Sequence, residues 1–176
     1  WVVNPDHASV SVLGTWGPGE NTLLAEIPVG RDPWCLDVHP SNGEVWVASG
    51  RDDAVFVVDA VTRTVVDTIP AGFGTFGVAF DPAGTSALVT ASGSDEVFLI
   101  DVASRSVTHT FDVYRRPRGI AWRPDGGGAW VSHLIMPSYL GTMTVIDAGD
   151  WSTSEIVLNQ SFGLEQGGYP AEMQNI

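Results

Sequence analysis

The chain contains no lysine: its eight basic residues are all arginine, set against 21 acidic residues. A formal charge of −13 argues against nonspecific binding to nucleic acid or to an anionic membrane surface. Cysteine is nearly absent. Cys35 alone leaves no intramolecular disulfide, zinc–thiolate cluster or CxxCH haem attachment within these residues, and one thiol on an apolar strand reads as a small core side chain. No apolar run approaches the roughly 18 residues that a membrane-spanning helix needs, so no membrane insertion is expected. No signal peptide is visible, and because the chain opens at Trp1 rather than Met, a removed leader remains compatible with it. Helical periodicity competes nowhere, and no G-x-S-x-G elbow marks a nucleophilic serine.

What the chain does contain is a repeat. Gly30 recurs as Gly72; Pro40 as Pro82 and Pro124; Val47 as Val89 and Val131; Ile27 as Ile69 and Phe111, each 42 residues on. Each unit holds four short runs rich in Val, Ile, Phe and Trp, as in WCLDV, VWVAS, AVFVVD and TVVDTI. Runs of this length and composition suit pleated strands rather than buried helices. Four strands per unit at this period predict an all-β fold, a β-propeller of four-stranded antiparallel blades, because stacked blades bury faces that no blade buries alone. At 44% hydrophobic residues, one compact domain over 1–176 would bury roughly 70% of its unfolded surface.

In chain order, residues 1–29 read as a partial blade without its first strand. Residues 30–71 and 72–113 are regular blades, and 114–158 is a blade with four residues added between its second and third strands. Residues 159–176 resemble the start of a next blade. About four blades are therefore present, either as part of a ring of six to eight or as a closed four-bladed ring in which the terminal AEMQNI pairs with WVVN. Closure is the usual propeller device for removing sheet edges; the uniformly apolar strands favour the partial ring.

Aligned, VWVASGRDDAVFVVDAVTRTVVDTIPAG and ALVTASGSDEVFLIDVASRSVTHTFDV resemble the YVTN family of β-propeller repeats. The shared features are a first strand ending in His-, Asp- or Arg-Pro, a Val-rich second strand, a third ending in Val- or Ile-Asp, and Ile-Pro near the end of the fourth. The resemblance implies a bacterial or archaeal, extracytoplasmic protein, periplasmic or at the cell surface. It also implies propeller relatives that include lactonases, the amine dehydrogenase heavy chain and the haem d1 domain of nitrite reductase. It carries over an architecture and no catalytic residue, since no literal Tyr-Val-Thr-Asn stands in any second strand.

Asp59, Asp101 and Asp147 end successive third strands, where an aspartate side chain accepts backbone N–H bonds of the following turn; they read as turn formers rather than a carboxylate set. Strand alternation brings the loops leading into each first strand and those between second and third strands to one face. That mouth gathers Arg31 and Asp32 with Arg115, Arg116 and Arg118, and a long loop carrying His133 and Tyr139. Three arginines within four residues of so acidic a chain suit bidentate capture of a carboxylate or phosphate, or docking of an acidic partner; the simpler reading is neutralisation of rim carboxylates. His133 with Met136 has the donor types of a haem or copper site, yet lacks a second His or Cys nearby, so no metal is assigned and no cofactor is evident. Trp34, Trp46, Trp122 and Trp130 read as packing between blades.

The expected function is a non-catalytic binding or interaction module taking a small anionic ligand or a protein partner at this mouth, with further blades or oligomerisation allowed. The alternative is a propeller enzyme, either a lactonase-like hydrolase or a redox propeller partnered with a haem protein.

Overall fold

The computed structural model describes residues 1–134 and 141–157. Fifteen strands are formed there, with two single 3-10 turns at Pro5–His7 and Gly17–Gly19. The first sheet has three strands, β1 (Val2–Asn4), β2 (Ser9–Leu13) and β3 (Leu23–Pro28). The second comprises β4 (Pro33–Val38), β5 (Glu44–Ser49), β6 (Ala54–Asp59) and β7 (Thr64–Pro70). The third comprises β8 (Thr75–Phe80), β9 (Ser86–Ala91), β10 (Glu96–Asp101) and β11 (Ser106–Asp112), and the fourth β12 (Pro117–Trp122), β13 (Gly128–His133), β14 (Thr142–Asp147) and β15 (Thr153–Val157). Every sheet is an antiparallel meander, and the molecule is a β-propeller of about four blades, as the repeat predicts. The terminal AEMQNI, expected as a closing strand, lies outside the described residues, as do residues 135–140 of the long loop with Tyr139.

Successive sheets stack in chain order, with β4 lying against β8, β8 against β12, and β1 against β4. The side-chain period of two explains how one strand serves two seams. In β5, Val45 and Val47 face the first sheet and join Val10, Val12 and Ile27. Trp46 and Ala48, one residue out of phase, face the third sheet and join Val78, Phe80, Ala87 and Val89. The third seam repeats the arrangement with Leu88, Val97, Leu99 and Phe111 against Ala129, Val131 and Ile146. Central strands buried on both faces therefore read as nearly continuous apolar runs, which is what the sequence shows at VWVAS and ALVTA.

The turn assignment of the strand-ending aspartates holds. Asp59 Oδ1 accepts the N–H groups of Val61 and Thr62 at 2.8 and 2.7 Å, Asp101 Oδ1 that of Ser104 at 2.8 Å, and Asp147 Oδ1 that of Gly149 at 2.7 Å. Each turn then places a residue with positive φ, Arg63, Arg105 and Trp151 in turn, and each of these reaches back to the preceding blade. Arg63 donates to the Leu24 carbonyl, Arg105 to Glu44 and Asp67, and Trp151 packs on Phe111 with ring centroids 6.2 Å apart.

Candidate binding mouth

The two families of loops expected on one face are hydrogen-bonded to each other there. Within each complete blade the lead-in loop accepts from the turn after the second strand: Gly50 N–H to Asp32 O, Ser92 N–H to Gly74 O, and Leu134 N–H to Arg116 O, at 2.9, 2.9 and 3.0 Å. Between blades an aspartate closes the link. Asp53 Oδ1 accepts from Gly74 N–H and Asp95 Oδ1 from Arg116 N–H, both at 2.8 Å. Both carboxylates sit on left-handed backbone, φ 53° and 61°, a conformation Asp tolerates better than most residues. The carboxylates of this rim are thus mainly structural. Asp52 accepts two bonds from the Arg31 guanidinium and one from its backbone N–H, and these hold its carboxyl below the usual range. Asp32 pairs with Arg51 at 3.1 Å. Arg31 and Asp32 accordingly have their charges matched within their own blade.

The arginines of the fourth blade behave differently. Arg123 pairs with Asp125, but among the described residues no carboxylate pairs with Arg115, Arg116 or Arg118. Arg118 stands on the first strand of its blade at the position held by Phe76 and Trp34 in the two preceding blades. The three form one stack, with Trp34 and Phe76 rings 5.6 Å apart at 19° and the Arg118 guanidinium carbon 4.0 Å from the Phe76 centroid. Burial first, and the neighbouring Arg116 charge second, lower the pKa of Arg118 from the ordinary arginine value; the group stays charged all the same. Its Nε is buried with no acceptor among the described residues, so packing on Phe76 orients the side chain. Trp34, 45% exposed, is here a mouth residue as well as a packing one. Its indole lies across Gly50, where any Cβ would come within 2.7 Å of Nε1. The lead-in residue Phe73, 67% exposed, adds a second aromatic surface to the same face.

His133 is a correction. It ends β13 instead of riding on the long loop, is 5% exposed, and bonds through Nε2 to Thr144 Oγ1 at 2.8 Å. It is buried against the lead-in loop of its own blade, where the Tyr114 ring meets the imidazole edge-on at 6.0 Å. His109 lies within β11. Among the described residues no group of three or more His, Cys, Asp or Glu side chains converges as metal ligands do.

A second polar centre, on the face opposite the mouth, had no signal beyond a repeated Arg in the sequence. Arg105 bridges two carboxylates of the preceding blade, Glu44 at 2.6 Å and Asp67 at 2.8 Å, and Glu44 also accepts from the indole N–H of the fully buried Trp46 at 3.0 Å. The surrounding cleft, about 580 Å³, includes His39, Thr85 and Ser104 in its wall. His39 Nε2 lies 2.7 Å from the Gly84 carbonyl across the seam, which makes this a seam-locking network.

No family model matches the sequence, and no curated protein matches it. Among solved structures the chain is similar to hydrazine synthase of Kuenenia stuttgartiensis, with a TM-score of 0.80 and 21% identity over 88% of this chain. The chain spans 44% of the length of that one. Since 880 solved chains match, the likeness identifies an architecture on which many functions are grafted, and not an activity.

Proposed function

We propose that this protein is a non-catalytic propeller module that binds an anionic ligand or acidic partner at the mouth of its central channel, in a YVTN-type propeller of an extracytoplasmic compartment. The observation that carries this reading is that no carboxylate among the described residues pairs with Arg115, Arg116 or Arg118, whereas Asp32, Asp52, Asp53 and Asp95 are engaged by arginine or backbone N–H groups. Arg118 is the anchor, because stacking on Phe76 holds its guanidinium in place before any ligand arrives, and an oriented guanidinium engages a carboxylate or phosphate through paired N–H donors. Arg115 and Arg116, exposed on the lead-in loop, add attraction at longer range.

The test is calorimetric titration with inorganic phosphate, citrate and benzoate. Arg118→Gln should weaken binding of the anion that binds best by about tenfold or more, the loss of one charged hydrogen-bonding partner. Arg63→Gln, on the opposite face, should leave it unchanged. Equal affinities for the native chain and the variant with Arg115, Arg116 and Arg118 all changed to Ala would sink the proposal.

A further inference from the structure

The third blade lacks both ion pairs that brace the rim of the second. In the second blade Arg31 pairs with Asp52 and Arg51 with Asp32. One period on, the same four positions hold Phe73, Ser94, Gly93 and Gly74. The backbone link persists without the charges: Gly93 N–H donates to the Phe73 carbonyl as Arg51 N–H does to that of Arg31, at 2.9 and 3.3 Å. The Phe73 ring lies across Gly93, where any Cβ would collide with it. Contact with the glycine holds the ring, yet Phe73 stays 67% exposed, and a ring this open gains little from burial.

This ring borders the arginines that no described carboxylate pairs. The turn 92–95 on which it rests is bonded at both ends to the lead-in of the fourth blade. Ser92 Oγ donates to the Pro117 carbonyl, one residue before Arg118, and Asp95 Oδ1 accepts from Arg116 N–H at 2.8 Å. Phe76, between Trp34 and Arg118 in blade order, already stacks with both. Phe73 is therefore an open aromatic surface set beside the guanidinium that the stack orients.

We infer that the mouth selects an aromatic anion, a flat ring bearing a carboxylate or phosphate. The inference rests on the anion-binding reading of the mouth and adds the ring to it. Arg118 engages the charged group through paired N–H donors, while the ligand ring stacks on Phe73 or meets it edge-on. Neither element selects alone. A guanidinium takes any carboxylate or phosphate, and one exposed ring is ordinary on a protein surface; on loops bonded to each other, the two together distinguish a ring-bearing anion from a bare one.

The experiment is calorimetric titration of the native chain with two matched pairs, benzoate against acetate and phenyl phosphate against inorganic phosphate. The ring-bearing member should bind about three- to tenfold more tightly, the worth of one aromatic contact. An advantage in one pair alone would identify the anionic group. Phe73→Ser should remove the advantage and leave acetate and inorganic phosphate unchanged, whereas Phe73→Tyr should keep it. Because position 73 is exposed, both variants should give the native circular dichroism spectrum. Equal affinities within both pairs, an advantage that survives Phe73→Ser, or no binding of either ring-bearing anion would overturn the inference. The anion reading is judged separately: inorganic phosphate or citrate binding that Arg118→Gln weakens would leave it standing after such a failure.

Discussion

The Arg105 guanidinium donates to Glu44 Oε1 at 2.6 Å across the seam between the second and third blades, and the same carboxylate accepts from the Trp46 indole through its other oxygen. One carboxylate thereby ties a surface turn to the core of the preceding blade. The pair is only partly exposed, 28% and 18% for the two side chains. Arg105→Ala should cost about 2 kcal/mol in urea unfolding, because it strips a charged donor from a half-buried carboxylate. Arg63→Ala, which removes one exposed bond to a carbonyl, should cost less than about 1 kcal/mol.

The aspartate links between lead-in loops predict a graded series. Asp95→Ala loses both the bond to Arg116 N–H and the side chain best suited to a φ of 61°, and should cost about 1–2 kcal/mol. Asp95→Asn keeps an acceptor and tolerates the same backbone, so it should stay within about 0.5 kcal/mol of the native chain. Hydrogen exchange at the Arg116 amide checks the cause: protection should fall in the alanine variant and persist in the asparagine one.

Glycine substitutions separate steric cost from backbone cost. At Gly30 the backbone is ordinary but a Cβ meets the Phe56 ring, so Gly30→Ala should cost about 1–3 kcal/mol as an overpacking change. Pairing it with Phe56→Leu should recover part of that loss, a coupling visible as non-additivity in thermal unfolding. At Gly43, φ is 76° and nothing lies within 4 Å. Alanine there should cost about 1 kcal/mol from backbone strain alone, and asparagine less.

Burial lowers the pKa of His133, against opposing influences from the Tyr114 carbonyl, Glu155, the Arg115 carbonyl and Asp95. The folded state thus holds the imidazole neutral at pH values where the unfolded chain, titrating near 6.5, binds a proton. Stability from this group is complete above about pH 6.5 and is lost as pH falls from there toward the depressed folded value. Denaturant midpoints between pH 5 and 7 should rise with pH in the native chain, and the rise should flatten in His133→Gln.

The arginine mouth was partly legible in the sequence. Strand alternation alone brings Arg31, Asp32 and the Arg115–Arg118 cluster to one face. Which of these arginines lack a carboxylate was not legible, because Arg31 and Asp52 are 21 residues apart and spacing carries no side-chain direction. The Trp34, Phe76 and Arg118 stack was within reach of the 42-residue arithmetic, since the three positions are repeat equivalents. His133 was misplaced because the added residues of its blade fall after it, which makes a strand end look like part of a loop.

The sequence by itself determined the blade: four strands, their alternation, their aspartate turns and the period at which they recur. These depend on contacts between near neighbours in the chain, and a repeat writes them down several times over. Only the tertiary structure decided which distant side chains meet, placing Arg105 on Glu44 and Arg118 on Phe76 across the seams. Those meetings depend on how one blade is rotated against the next and on where each side chain then points, and neither quantity is local to any stretch of sequence.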